Sequence, residues 1–143
     1  MMRMTKKEKL ENLNACRENT LLHTLNIKFT ELGDDFLVAT MPITSSVYQP
    51  MGFLHGGANA ALAETLGSSL SSVLVADEGK SVVGTNINCN HLKTKCDGTV
   101  IGKAKIVKKG NKQHISEIEI RDEYGNLICY STMTNYVIDL CVE

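Results

Sequence analysis

A single long helical segment set among strands is what most limits this chain. From His55 to Asp77, the residues Ala58, Ala61, Leu62, Leu66, Leu70, Val73 and Leu74 fall on one broad apolar face at helical spacing. The segment is rich in Ala, Gly and Ser, so it can approach a sheet or another helix closely, and Asp77-Glu78-Gly79 ends it. A short helix (about residues 6–14) precedes two strands, Leu25 to Leu32 and Phe36 to Met41, hairpinned at Gly33-Asp34-Asp35. Pro42 ends the second strand and Pro50 lies in the next loop.

Four strands follow the long helix. The first covers about Ser81 to Leu92. Asp97-Gly98 turns into the next, Thr99 to Lys108, with Lys103 and Lys105 on one face and Gly102, Ala104 and Ile106 on the other. After Lys109-Gly110-Asn111, a strand carries Ile118 and Ile120 inward and Glu117, Glu119 and Arg121 outward. The turn Asp122 to Asn126 leads into Leu127 to Ile138. The class is α+β: an antiparallel sheet of about six strands around one helix. One helix cannot cover both faces of such a sheet, so one face is wet or a second copy covers it. Unpaired edges invite pairing between chains, and a two-fold homodimer is the commonest outcome.

The bulk properties narrow the class. The 143 residues fit one domain, 1–143, and 43% hydrophobic content supplies a core. A net charge of −1, with no block of like charge, argues against a protein held by nucleic-acid phosphates. Lys6, Lys7 and Lys9 are interrupted by Glu8 and Glu11, which reads as a solvated helix face. No apolar stretch is long enough to span a bilayer, and the basic start is not followed by the apolar core of a signal peptide. Cys16, Cys89, Cys96, Cys129 and Cys141 are odd in number and lack CxxC spacing, which disfavours disulfides or zinc. They suggest the reducing cytoplasm, with Cys89 a small core hydrophobe.

Chemistry concentrates at the start and middle of the long helix. The first N–H groups of a helix lack internal partners, and its dipole favours negative charge there. Gly56 and Gly57, after His55, would let a substrate approach the backbone, which makes a ready oxyanion hole. Glu64 lies roughly two turns on, about 12–14 Å along the axis. A symmetry-related chain could bring a second helix start to it. The residues alone leave a plainer reading open, with the glycines for packing, the histidine as a cap and the glutamate in solvent. The small apolar flanks of Glu64, Ala61 and Gly67, favour the first reading slightly.

Gln49-Pro50-Met51-Gly52-Phe53-Leu54-His55-Gly56-Gly57, followed by Leu62-Ala63-Glu64-Thr65-Leu66-Gly67-Ser68, resembles the hotdog-fold acyl-CoA thioesterases. Within them it is similar to the branch with Glu on the helix, the 1,4-dihydroxy-2-naphthoyl-CoA and aryl-CoA thioesterases. Phenylacetate-pathway relatives usually carry Asp at the Glu64 position. The likeness runs from about Leu10 to Ile138 and includes Leu32-Gly33-Asp34-Asp35, Val82-Val83-Gly84, Asn88-Cys89-Asn90-His91 and Glu117-Ile118-Glu119-Ile120.

The resemblance implies a hotdog fold that hydrolyses an acyl- or aryl-CoA to free acid and CoA. It implies Glu64 as nucleophile or general base, and the Gly56 N–H as oxyanion donor. His55 would orient the thioester, Gln49 would sit beside the carbonyl or the attacking water of the partner chain, and Ser68 would hydrogen-bond near the carboxylate or water. It also implies that Gly57, Gly84, His91, Leu92, Lys93, Thr94 and the turn Lys108, Lys109, Gly110, Asn111, Lys112 and Gln113 contact substrate or CoA. Lysines around a glycine turn with free N–H groups suit phosphates. The family often has Arg and His where this chain has Lys112 and Gln113, and lysine lacks the bidentate fork. His91 has an alternative as a core or edge histidine. His23 and His114 read as surface or supporting residues. No metal or redox cofactor is needed, since CoA is part of substrate and product. The family often assembles as a dimer of dimers, and a menaquinone-pathway substrate fits by resemblance. Two rivals remain at this level: a non-catalytic acyl-CoA sensor, and a hotdog dehydratase or hydratase with a different His and carboxylate arrangement.

Overall fold

The computed structural model describes residues 2–140, so Cys141 lies outside the described residues. Helix α1 (Lys6–Ala15) and the one-turn α2 (Leu21–Thr24) precede β1 (Lys28–Leu32) and β2 (Phe36–Pro42). A 3-10 turn (Ser45–Val47) leads to the long helix α3 (Gly56–Ala76). Strands β3 (Lys80–His91), β4 (Thr99–Lys109), β5 (Gln113–Asp122) and β6 (Leu127–Asp139) complete the chain. The strands form one sheet in the order β1-β2-β4-β5-β6-β3, every neighbouring pair antiparallel.

α3 lies across the inner face of this sheet. Leu62, Leu66 and Leu70 are fully buried, each worth about 1.5–3 kcal/mol of burial. A Cβ on Gly102 would stand 2.5 Å from Leu66 Cδ1, so this glycine lets the helix settle against β4. The buried arc is rotated from the expected one. Asn59, Ala63, Gly67, Ser71 and Val75 are buried beside the leucines, whereas Ala61, Val73 and Leu74 are only half-buried. Small and polar residues sit innermost because the sheet comes closest there. The β4 and β5 alternations follow the expected faces.

Two expectations are corrected. The first strand begins at Lys28 rather than Leu25, because Leu21–Thr24 form α2 and Leu25 caps it. Asn19 and Asn26 flank this turn of helix with φ of 60° and 54°, a left-handed conformation that asparagine tolerates. His114 is not a surface residue. It lies on the inner face of β5 with 1% exposure.

The two sheet edges differ. At β1, Asn14 of α1 acts as a substitute strand: its Nδ2 donates to the Phe29 carbonyl at 2.9 Å and its Oδ1 accepts from the Phe29 N–H at 3.0 Å. α1 is itself fixed by a Thr5–Glu8 capping box and by Lys9 Nζ on Asp77 at 2.9 Å. At the other end, β3 is long and mostly exposed, and among the described residues no element covers its outer edge.

Candidate active site

The start of α3 is built by its own sequence. His55 is the N-cap, and its Nδ1 accepts from the Gly57 N–H at 2.7 Å. The Ala58 N–H donates to the His55 carbonyl at 3.0 Å. The Gly56 N–H is left without a protein partner among the described residues, at the positive end of a long helix. Because His55 Nδ1 accepts, the neutral ring carries its proton on Nε2, a second donor at the same helix start. The capping role raised as a plain alternative for His55 is therefore real, and it is compatible with a role in binding.

Gln49 approaches from the preceding loop. Its Oε1 accepts from the Met51 N–H, which leaves the side-chain NH₂ free to donate. Its backbone closes the turn through Gly52 N–H to the Gln49 carbonyl at 2.9 Å, with Gly52 at φ +81°. Gln49, Phe53, Leu54, Gly56, Asn59, His91, Leu92, Lys93 and Thr94 line one pocket of about 310 Å³. The structure thus brings Gln49, Gly56 and the whole His91 to Thr94 segment together. A Cβ on Gly56 would stand 2.8 Å from His91 Nε2, so any side chain there would push that ring aside. Asn59, missed from the sequence, is 3% exposed in this pocket and its Oδ1 has no protein partner.

Glu64 lies elsewhere in the same chain, about 12 Å along α3 from Gly56. It is exposed in the single chain and stands over β3: its Oε1 is 3.0 Å from where a Gly84 Cβ would be. Ser68 Oγ is 3.8 Å from the same point and accepts a hydrogen bond from Asn135 Nδ2 at 3.0 Å. Gly84 is thus placed directly beneath the Glu64–Ser68 pair.

The basic turn forms a third locale. Lys109, Gly110, Asn111 and His114, with Val75, Glu78, Lys80 and Val137, line a cavity of about 270 Å³ at the C-terminal end of α3. Lys109 Nζ reaches the Leu74 carbonyl at 3.3 Å and Glu78 at 3.7 Å. The free N–H groups expected of this turn are corrected at Gly110, whose N–H is spent on the Gln113 carbonyl at 2.8 Å. Any anion binding there rests on side chains. Burial, with Lys109 close by, holds the His114 imidazole below the usual histidine range, while Glu78 pulls the other way.

A family model described as the thioesterase superfamily matches residues 51–129, the stretch that carries the α3 start, Glu64 and β3 to β5. The chain belongs to the thioesterase superfamily. It is a thioester hydrolase, and its six-stranded sheet wrapped on one long helix is the hotdog fold. Among curated relatives of this superfamily, the 1,4-dihydroxy-2-naphthoyl-CoA hydrolase of Escherichia coli is 42% identical over 129 residues, covering 90% of this chain and 94% of the relative. The proofreading thioesterase EntH of Cronobacter turicensis is 44% identical over 90% of this chain and 93% of its own. The crystal structure of a Haemophilus influenzae thioesterase superposes with a TM-score of 0.90 at 40% identity, covering 98% of this chain and 94% of that one.

Proposed function

We propose that the protein hydrolyses an acyl- or aryl-CoA thioester to free acid and CoA in a site shared between two chains. The observation that carries this reading is the separation within one chain of two half-sites that the chemistry needs together. Gly56 and His55 Nε2 offer donors for the thioester oxygen at one point, and Glu64 stands about 12 Å away over Gly84. The uncovered β3 edge supports the remedy. Gly56 lies beside His91 of β3, and Glu64 beside Gly84 of β3. Counted along the ladder past the bulge between Gly84 and Asn86, the midpoint of these residues is Asn88, and a two-fold axis there pairs β3 with the partner's β3 and exchanges the two points. Glu64 of each chain then meets the helix start of the other.

In such a site Gln49 NH₂, the Gly56 N–H and His55 Nε2–H of one chain hold and polarise the carbonyl. Glu64 of the other attacks it or activates a water, and the oxyanion that forms is stabilised by those donors. The C–S bond breaks and the sulfur leaves as CoA, taking up a proton; where Glu64 has attacked, water then cleaves the anhydride it forms, which releases the free acid and restores the carboxylate. Lys108 and Lys112, neither of them in an ion pair among the described residues, flank the turn whose Lys109 reaches the end of α3, and would meet the CoA phosphates. The basic turn at Leu74 stands about 15 Å beyond Glu64 along the helix. One relative's name, the 1,4-dihydroxy-2-naphthoyl-CoA hydrolase, carries an aromatic acyl group, which supports an aromatic substrate here. Cys16, Cys89, Cys96 and Cys129 are free thiols, which supports a reducing compartment such as the cytoplasm. No helix among the described residues is long and apolar enough to cross a membrane.

Replacement of Glu64 by Gln tests the reading. CoA release from a panel of aromatic, short-chain and long-chain acyl-CoAs, followed with a thiol reagent, should disappear while acyl-CoA binding persists. Unchanged CoA release would remove Glu64 from the chemistry. A wild-type protein that binds every acyl-CoA and hydrolyses none would make it a sensor.

A further inference from the structure

Beneath α3, in a region an apolar core would normally fill, the inner face of the sheet carries a run of unpaired polar atoms. Asn135 Oδ1 of β6, with Ser116 Oγ and both ring nitrogens of His114 on β5, are buried without protein partners. Buried polar groups are normally satisfied, and packing alone would prefer Val or Ile at these strand positions. The ladder aligns the run with the active site. Asn135 of β6 is paired in register with Gly84 of β3 on one side and with His114 of β5 on the other. Gly84 is the residue over which Glu64 and Ser68 stand.

We propose that Asn135 is a positioning residue of the hydrolytic reaction, acting through Ser68. This rests on the reading of Glu64 as nucleophile or general base. Asn135 Nδ2 donates to Ser68 Oγ at 3.0 Å. A hydroxyl has one proton and two acceptor sites. With one acceptor site filled from below by the amide, the Ser68 proton is left to donate on the other side. Its contact with Met133 Sδ, at 3.9 Å, is a weak competitor. The Glu64 carboxylate is close by: its Oε1 and Ser68 Oγ are 3.0 and 3.8 Å from one point above Gly84. The amide thus fixes Ser68 as a donor toward the carboxylate or the water it activates, instead of a rotor that also accepts. Asn135 touches neither substrate nor Glu64. Its unpaired Oδ1 and the unpaired ring of neutral His114, opposite it in the ladder, are complementary as acceptor and donor.

A double-mutant cycle on the full-length protein tests this. Asn135→Val, with Asn135→Ala as a second replacement, is made in the wild-type and in the Ser68→Ala backgrounds. CoA release gives kcat and KM, and thermal unfolding gives Tm. In the wild-type background kcat should fall about tenfold, the size of one neutral hydrogen bond, with KM within about twofold. In the Ser68→Ala background either replacement should change kcat by less than about twofold, because the hydroxyl it orients is gone. An equal fall in kcat in both backgrounds would show a general structural effect and overturn the proposal. So would an unchanged kcat in the wild-type background, or a chain that folds with neither replacement. Glu64→Gln, measured alongside, separates the two levels. If it stays active, the reading of the site fails. If it is inactive while the cycle is additive, only the role of Asn135 fails.

Discussion

Gly84→Ala is a small perturbation with a sharply defined consequence. Gly84 is not in the left-handed region, so alanine adds no backbone strain, only a methyl group. That methyl carbon would stand 2.8 Å from Met133 Cε and 3.0 Å from Glu64 Oε1. Met133 Cε is the end of a flexible chain and can move aside at little cost. Glu64 Oε1 must retreat from 3.0 Å to the ordinary contact limit of 3.4 Å, a displacement of about 0.4 Å. Misplacing a reacting group by about 1 Å costs up to 10²-fold, so 0.4 Å corresponds to roughly fivefold in kcat. KM should barely change, because the helix start is not touched, and Tm should fall only slightly, because within the core only the flexible end of buried Met133 has to shift. Gly102→Ala is the control. Its methyl would meet Leu66 Cδ1 at 2.5 Å in the packed core, so it should lower stability by about 1–3 kcal/mol and leave kcat of the folded protein near wild type. Steady-state CoA release and thermal unfolding on both variants decide the matter. A Gly84→Ala enzyme with wild-type kcat, or with kcat lost only in proportion to Tm, would refute the placement of the Glu64 carboxylate over Gly84.

Other outcomes follow from the same geometry. His114 is held neutral in the fold, so below about pH 6.5 the unfolded chain takes up its proton first and stability falls with falling pH. In urea unfolding between about pH 7.5 and pH 5.5, His114→Gln should show a smaller loss than wild type, and an equal loss would contradict the buried neutral ring. Leu66→Ala removes a fully buried side chain and should cost about 2–5 kcal/mol by urea unfolding, whereas a cost below 1 kcal/mol would mean that α3 is not anchored there. Asn88→Asp would set two carboxylates against each other across the inferred two-fold, so sedimentation should show monomer and activity should fall on dilution. An unchanged dimer would move the axis off Asn88. Lys108→Glu with Lys112→Glu should raise KM for acyl-CoA with little change in kcat, and an unchanged KM would take the phosphates elsewhere.

The strands and the long helix were legible because their periodicities are plain, and the resemblance around His55 to Ser68 named the site residues. Gln49, Gly56 and His91 to Thr94 line one pocket. Other features depended on tertiary placement. The one-turn helix at Leu21 was hidden because a leucine pair in so short a segment fits strand and helix alike. The burial of His114 and Asn135 could have been suspected from alternation, since each shares a face with buried residues of its strand. Their polarity argued the other way. Gly84 became intelligible only when β3 was seen to run under Glu64. The spent Gly110 N–H shows the limit of reading a glycine turn as an anion nest without its hydrogen bonds.

Subunit mixing tests the shared site most directly. Glu64→Gln disables one half-site, and Gly56→Val, whose side chain would collide with His91 Nε2, disables the other. Each homodimer should be inactive. If Glu64 works with the partner's helix start, a mixed dimer carries one fully wild-type site and one doubly disabled site. Equal mixing with free exchange should then restore about a quarter of wild-type CoA release, since half the dimers are mixed and each has one of two sites intact. If Glu64 instead serves the helix start of its own chain, no mixture contains an intact site, and activity that stays at the level of the parent variants would contradict the two-chain site.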